Sequence, residues 1–279
     1  YYGAPLMPET LPYWAALMAA GGFVLQRASR AEQLAAPEIR AMHSIALWTA
    51  ALALSLQWLH ALNAIWQVAE GWYVAAAVLP LLLMTLALWP RNPILAWPLR
   101  VQFEAYRNAW FSPALVLLAM VWVWGLFSEG SAAPLPYVPL LNPLDVMLMA
   151  VAGVVFVYMK QSEHMRKMAM EAWPYVGFAF ITLATLRAVH QLDGQPWDAT
   201  LLATGLTQAS LTVVWSLLGV AALILGSRRS NRRQWLGGGL LMLAVLVKLM
   251  LIDRTYMGNI PGIVSFLAVG LLLVAVGYF

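Results

Sequence analysis

The sequence predicts an all-α polytopic membrane protein with about nine transmembrane helices. Of its 279 residues, 62% are hydrophobic and only 10% are charged, whereas a soluble domain is typically about 45–50% apolar and about 25% charged. Its mean hydropathy is +0.75. A water-soluble globule could not bury this much apolar surface. Because one span needs about 20 apolar residues, the chain has room for roughly nine. A soluble enzyme and a disordered chain are therefore excluded.

Nine apolar stretches supply these spans, and short polar connections separate them. The first and the fourth are short for a span and could be tilted or incomplete. We expect one continuous membrane domain, with about four spans in residues 1–141 and about five in residues 142–279. Because no initiator Met is present, we expect the sequence to be part of a longer polypeptide. The predicted spans, in order, are Leu11–Leu25, Met42–Leu62, Trp72–Trp89, Pro113–Phe127, Leu144–Met159, Trp173–Val189, Thr200–Leu225, Trp235–Ile252 and Asn259–Phe279.

Basic residues mark every second connection along the chain. The positive-inside rule places such loops in the cytoplasm. It predicts a multi-pass protein of the bacterial inner membrane, with the start of the chain in the periplasm and the Phe279 end in the cytoplasm. The net charge of +4 is thus a topology signal and does not indicate nucleic acid. Thirteen of the 16 Lys and Arg lie in these loops: Arg27, Arg30, Arg40, Arg91, Arg100, Arg107, Lys160, Arg166, Lys167, Arg228, Arg229, Arg232 and Arg233.

The opposite face collects ionisable side chains of both signs. A charge inside a span costs a few kcal/mol at the helix centre, so each one needs a physical reason. This concentration on one face predicts a polar cavity that opens to the periplasm. The residues concerned are Glu9, Glu70, Glu129, Asp145, Asp193, Asp198, Asp253, Arg187, Lys248, Arg254, His60 and His190.

Span six carries Arg187 and His190 three residues apart, which places them on one helix face near its outer end. Both could be ordinary interfacial residues, with the Arg reaching to the headgroups. Alternatively, they form a fixed cation beside a titratable group, which suits an anionic ligand or a proton relay.

Span eight carries Lys248 about five residues below Asp253, a depth that a Lys side chain could nearly cover by extending toward the interface. The alternative is a buried Lys paired with a carboxylate from another span. Asp253 and Arg254 could be a solvated pair or one wall of an outward-opening site.

Several polar residues predict helix starts and helix contacts. Asn142-Pro143-Leu144-Asp145 is typical of a helix start, with Asn at the N-cap, Pro at the first position and Asp at the third; Asp198 is a second predicted cap. A polar stripe in span seven either bonds neighbouring helices or lines a cavity. The glycines 237–239 predict close helix packing. The stripe consists of Thr200, Thr204, Thr207 and Gln208.

Four tryptophans suggest an internal repeat. Trp48, Trp110, Trp173 and Trp235 are spaced 62, 63 and 62 residues apart, a period of about two spans. A repeat unit of two spans begins and ends on the same side of the membrane, so successive units have the same orientation. The repeat units would therefore be parallel two-helix hairpins. With 14 Trp in the chain, a coincidental spacing is the alternative.

No recognised catalytic or cofactor motif is present. There is no cysteine, no zinc-protease or nucleophile-elbow motif, no P-loop and no dinucleotide fingerprint. The four histidines have no metal-ligand spacing. We therefore expect no metal and no cofactor, and whether the protein is an enzyme stays open.

The C-terminal half contains a set of motifs that occur together in one known family. The chain resembles the large family of predicted bacterial membrane proteins catalogued as domain of unknown function 2339, with the match over roughly 142–279 and a weak match before it. The motifs are Asn142–Asp145, Arg187–His190, Gly194–Trp197, Gln208, Leu211, Trp215, Arg233–Gly237, Val247–Asp253, Ile263–Phe266, Gly270 and Val276–Phe279.

The resemblance implies a bacterial inner-membrane protein with more than nine spans and an N-terminal soluble or coiled-coil stretch. It implies no activity. The family often has two adjacent histidines where this chain has His190-Gln191, and Leu-Ser where it has Arg254-Thr255. These departures argue against a site that needs a histidine pair.

Three functions are compatible with these observations. In the first, a periplasm-facing cavity binds or processes an anionic envelope lipid or glycan. Its ligand-binding residues would be Arg187, Lys248, Arg254, His60 and Gln208, and its proton-handling residues His190, Asp145 and Asp253. The second is a membrane scaffold whose ion pairs orient helices or bind other membrane proteins. The third is a transporter or flippase, which would favour broken helices at mid-membrane.

Overall fold

The computed structural model describes residues 10–30, 36–89, 103–256 and 260–278. These ranges contain helices and connections and no strand. Two short 3₁₀ helices, Ala199–Ala203 and Asp253–Tyr256, flank α7 and α8 in the chain. The α-helices are α1 Leu11–Arg30, α2 Ala36–Trp66, α3 Glu70–Ala87, α4 Phe103–Leu126, α5 Pro143–Met159, α6 Glu163–Asp193, α7 Gly205–Arg228, α8 Arg232–Leu251 and α9 Ile260–Tyr278.

The all-α membrane class is confirmed. Within the described ranges, six helices are long and apolar enough to cross a membrane, and α5 is apolar but shorter. Each of the nine predicted spans corresponds to one of the helices above, so nine is an approximate span count. The six segments are Ala41–Ile65, Glu70–Ala87, Ala109–Leu126, Glu163–Asp193, Gly205–Arg228 and Arg232–Leu251.

The start of α5 follows the predicted capping pattern. The Asn142 side-chain oxygen accepts a hydrogen bond from the Asp145 backbone N–H at 2.9 Å. Its amide group donates to Asp145 Oδ2 at 2.5 Å. Both residues are buried, and Pro143 occupies the first helical turn. The Asn142 side chain therefore satisfies one free backbone N–H of the first turn, and the Asp145 carboxylate satisfies the Asn142 amide in return.

The predicted start of span seven is wrong. Asp198 caps the 199–203 3₁₀ helix by accepting hydrogen bonds from the hydroxyl and the backbone N–H of Thr200. These bonds, that of the hydroxyl first, lower the pKa of the Asp198 carboxyl below its ordinary value. Thr204 then caps α7, which begins at Gly205. Competition from side-chain hydrogen bonds breaks the helix here, so Thr200 and Thr204 precede α7, and the stripe on the helix keeps only Thr207 and Gln208.

By contacts the chain divides into two compact units. The first comprises Tyr1–Pro136 and Leu141–Ala169, so it includes α5, and the second comprises Tyr137–Leu140 and Met170–Phe279. The sequence analysis placed the boundary between the two groups of spans after residue 141, where the family motifs begin. The structure places α5 with the helices before it.

In the first unit, a buried tryptophan joins three helices. Trp110 of α4 is fully buried, and its ring stacks on Trp48 of α2 with centroids 4.4 Å apart. Its Nε1 donates to Thr85 Oγ1 of α3 at 3.3 Å. The same hydroxyl donates to the Leu81 carbonyl at 2.8 Å. Thr85 thus satisfies the indole N–H without leaving its own hydroxyl unpaired.

In the second unit, glycines let α7 and α8 pack closely. A Cβ added at Gly238 would lie 2.7 Å from Leu223 N and 2.8 Å from Gly219 O. One at Gly226 would lie 2.5 Å from Trp235 N. The predicted close packing is therefore confirmed at Gly238, whereas Gly237 has no heavy atom within 4 Å of such a Cβ. The four repeat-spaced tryptophans fall on α2, α4, α6 and α8, and the repeat itself stays a prediction.

Candidate functional site

The second unit holds a buried ionic cluster, which we define as Lys248, Asp253 and Thr212. Lys248 lies in the last turn of α8, and Asp253 begins the 3₁₀ helix after it. Thr212 belongs to α7, which packs against both. The side chains of Lys248 and Asp253 are 8% and 4% exposed, and Thr212 is fully buried. Because α8 ends at Leu251, the chain turns and brings Asp253 back onto a Lys of the same helix.

The polar groups of the ionic cluster are hydrogen-bonded to one another. The Lys248 ammonium donates to Asp253 Oδ1 at 2.5 Å, to Thr212 Oγ1 at 2.6 Å and to the Gln208 carbonyl at 3.0 Å. The Thr212 hydroxyl in turn donates to Asp253 Oδ2 at 2.6 Å. All three ammonium protons and both carboxylate oxygens therefore have partners.

This geometry distinguishes between the two interpretations of Lys248. The side chain is buried inside the protein, and its carboxylate partner comes from the connection five residues later, whereas the sequence suggested another span. A buried charge pair is tolerated when hydrogen bonds complete it, as here. In this arrangement Lys248 has no remaining proton to donate to a ligand.

The outer end of α6 carries the predicted pair Arg187 and His190. Arg187 is fully buried, and His190 is half-buried with its ring 5.5 Å from that of Trp197. His190 Nδ1 donates to the Gln195 carbonyl. Because a carbonyl can only accept, the proton of this hydrogen bond lies on Nδ1. Gly194, with φ of +69°, ends the helix and allows the chain to fold back onto His190.

A groove of about 730 Å³ runs along α6, α7 and α9 in the same unit. Its lining is almost entirely apolar, with Thr185, Ser210 and the terminal Asp193 as the polar members. We call it the α6–α7 groove. It is lined by Pro139, Leu140, Ile181, Ala184, Thr185, Ala188, Val189, Leu192, Asp193, Leu206, Ala209, Ser210, Val213, Val214, Ile260 and Val264.

The groove and the predicted pair occupy different faces of α6. The lining residues recur at helical spacing from Ile181 to Leu192, which defines one face. Arg187 and His190 fall between them and do not line the groove. Helix α6 ends at Asp193, which itself lines the groove.

The other predicted site residues are dispersed. Asp145 and His60 lie in the first unit, where Asp145 is engaged in the helix cap and His60 is half-buried on α2. Gln208 donates its side-chain amide to the Leu202 carbonyl at 2.5 Å. The Arg254 side chain lies outside the described residues, as do Glu9, Arg91 and Arg100. Within the ranges that the structure describes, no group of three His, Asp or Glu could hold a metal ion.

Sequence reasoning missed two features of the second unit. Thr212 follows Gln208 by four residues and thus continues the polar stripe of α7 by one helical turn. This spacing could have identified Thr212 from the sequence. The α6–α7 groove is formed by small and aliphatic residues, whose sequence pattern does not differ from that of an ordinary packed helix face.

Comparison with known protein families gives a match over almost the whole chain. The family described as predicted membrane protein (DUF2339) matches residues 3–279. The match thus covers essentially the whole chain, whereas the sequence motifs had indicated a good match over roughly 142–279 and a weak one before it. No curated protein and no solved structure matches it significantly.

Proposed function

The chain belongs to the family of predicted membrane proteins catalogued as domain of unknown function 2339, and we propose that it binds an anionic envelope lipid at the outer end of its second unit. The observation that carries this proposal is the α6–α7 groove, whose volume is about 730 Å³. We further propose that the membrane is the bacterial inner membrane and that the outer end is periplasmic, from the distribution of basic loops.

The shape and chemistry of the groove favour a lipid chain over a glycan. Two of its walls, α6 and α7, are long and apolar enough to cross a membrane, so the space faces hydrocarbon. Its apolar lining offers few hydrogen-bonding groups, and a sugar needs many of them. An acyl or polyprenyl chain exchanges one apolar environment for another when it moves from bulk lipid into this groove, so the transfer carries no desolvation cost. It also gains packing contacts with the groove walls.

We assign the lipid head group to the end of α6. His190 and Gln195 meet there, and the fully buried Arg187 lies one turn below. The imidazole of His190 and the guanidinium of Arg187 are the basic groups at this end of α6, and an anionic head group is attracted to basic groups. The Asp193 carboxylate at the same helix end opposes an anion, and the positive charge of the Arg187 guanidinium offsets it. We assign Lys248 and Asp253 to support of the groove and not to head-group contact.

Because the chain has no cysteine, a single cysteine gives a clean test. A bimane label on Ser210→Cys reports from inside the groove, and one on the exposed Ala221→Cys of the same helix is the matched control. The protein is reconstituted with acyl-brominated phosphatidylglycerol or phosphatidylethanolamine, which quench the label. We expect stronger quenching by the anionic lipid at position 210 and no preference at position 221. His190→Gln should reduce the preference.

Other outcomes would refute the proposal. Absence of quenching at position 210 means that lipid does not enter the groove, and equal quenching by the two lipids removes the anionic specificity. The scaffold interpretation, with its ion pairs serving helix orientation alone, would then account better for the protein.

The proposed orientation has its own test. Exposed positions Ser162 and Ala199 lie in connections that the basic-loop pattern assigns to opposite sides. In intact cells, a membrane-impermeant maleimide should label Ala199→Cys and leave Ser162→Cys unlabelled until the cells are opened. The reverse pattern would place the α6–α7 groove end in the cytoplasm.

A further inference from the structure

The ionic cluster holds the 3₁₀ helix that precedes α9, one of the helices that line the α6–α7 groove. The 3₁₀ helix Asp253–Tyr256 connects α8 to α9 and contacts α7, α8 and α9. Shortly after it, Ile260 and Val264 of α9 line the groove. The position at which α9 begins therefore depends on how the 3₁₀ helix is fixed.

Asp253 fixes the 3₁₀ helix to two other helices at once. One carboxylate oxygen accepts from Lys248 of α8 and the other from Thr212 of α7. The bonds are short, 2.5 and 2.6 Å, and the groups are buried, so water does not compete for them. Two different anchors restrain both the location and the orientation of the carboxylate.

The α7 wall of the groove starts at Leu206 and includes the turn that carries Thr212. Thr212 faces the ionic cluster, and its neighbours Ser210, Val213 and Val214 line the groove. One turn of α7 thus holds the anchor for α9 on one face and the groove surface on the other. The distance between the two walls is set through this shared turn.

We propose that Asp253 is a positioning residue that sets the width of the α6–α7 groove by holding the start of α9 through Lys248 and Thr212. The consequence for lipid rests on the function proposed above, whereas the placement of α9 does not. Breaking the ionic cluster releases the α9 wall, widens the groove and removes its preference for one lipid.

The experiment measures the distance across the groove in the full chain. Nitroxide labels on Ala184→Cys and Val264→Cys, both in the groove lining, report the separation of the α6 and α9 walls by pulsed electron resonance. In Asp253→Asn we expect a shift to longer distances and a broader distribution. Arg233→Ala is the matched control, because it removes an exposed ion pair of the same unit, Arg233 with Glu171 at 2.6 Å, and should change nothing.

A further variant separates positioning from stability. Lys248→Met combined with Asp253→Leu replaces the charges by apolar groups and should recover stability. We expect it not to recover the original distance, because the directional anchors are gone. If it recovers both, or if Asp253→Asn leaves the distance unchanged, the positioning role is refuted. Should Asp253→Asn fail to fold, Thr212→Val removes one anchor while keeping both charges and should give a smaller shift in the same direction.

The two proposals fail in different ways. A wild-type chain without lipid preference at position 210 refutes the lipid function, and the distance measurement remains valid. A wild-type lipid preference that persists in a folded Asp253→Asn chain refutes the positioning role instead.

Discussion

The substitution Gly238→Ala tests the packing of α7 on α8 directly. Its added Cβ would meet Leu223 N at 2.7 Å and Gly219 O at 2.8 Å, where ordinary contacts begin at 3.4 Å. Both atoms belong to the backbone of α7, so no side-chain rotation can relieve the contact. The two helices must move apart, and small residues at such interfaces are what permit close packing in a membrane.

The loss of stability in Gly238→Ala can be estimated from the van der Waals contacts that weaken when α7 and α8 move apart. An opening of roughly 0.5–1 Å already forfeits a quarter to a half of the dispersion attraction of each affected contact. Inserting a methyl group into a closely packed site typically costs about 1–3 kcal/mol. The neighbouring Gly237 has no atom within 4 Å of such a Cβ, so Gly237→Ala should gain up to about 1 kcal/mol from helix propensity.

Both glycines lie inside α8, so the gain in helix propensity is common to the two alanine variants and cancels. They should therefore differ by the packing cost of about 1–3 kcal/mol in unfolding free energy, or roughly 5- to 140-fold in the equilibrium constant. The assay is reversible unfolding of the purified protein in mixed micelles, followed by circular dichroism. Gly237→Ala is the matched control because it makes the same chemical change one residue away. Equal stability of the two variants would refute the packing reasoning.

Two further predictions use the same unfolding assay, and a third uses the pH dependence of amide exchange. Asp253→Ala leaves the Lys248 ammonium buried without its carboxylate, so we expect a loss of about 3–5 kcal/mol that an added Lys248→Met largely restores; a single-variant loss below about 1 kcal/mol would contradict this. Thr85→Val should cost about 1–3 kcal/mol because the Trp110 indole N–H loses its acceptor, whereas Thr85→Ser should retain the bond. The pKa of the Asp198 carboxyl is lowered in the folded chain. The carboxylate therefore stabilises the 199–203 3₁₀ helix fully at any pH above the ordinary carboxyl pKa. This stabilisation is lost as the pH falls through the lowered pKa of the folded chain. Amide exchange of that segment should therefore accelerate in acid in the wild type and show no such pH step in Asp198→Asn.

Much of the fold could be predicted because a membrane imposes strong local rules. Span length and apolar composition gave the helices, and the Asn142 to Asp145 pattern gave the start of α5 with its observed hydrogen bonds. The start of span seven could not be predicted in this way. Hydropathy continues through Thr200, but hydrogen bonds to Asp198 stop the helix there.

The candidate site was only partly predictable. Lys248 and Asp253 were both identified as unusual, since charges in apolar segments are conspicuous. Their mutual pairing was not foreseen, because it depends on where α8 ends and how the chain turns. Thr212 was overlooked, since a threonine in an apolar helix has several ordinary uses.

The sequence by itself determined that this is a helical membrane protein, and it did so because hydrophobic length and charge are properties of contiguous residues. Tertiary structure decided that Lys248, Thr212 and Asp253 meet, that Gly238 touches α7, and that three helices leave an apolar groove. These features join residues far apart in the chain, and their energies depend on distances of a few ångströms that no linear pattern encodes.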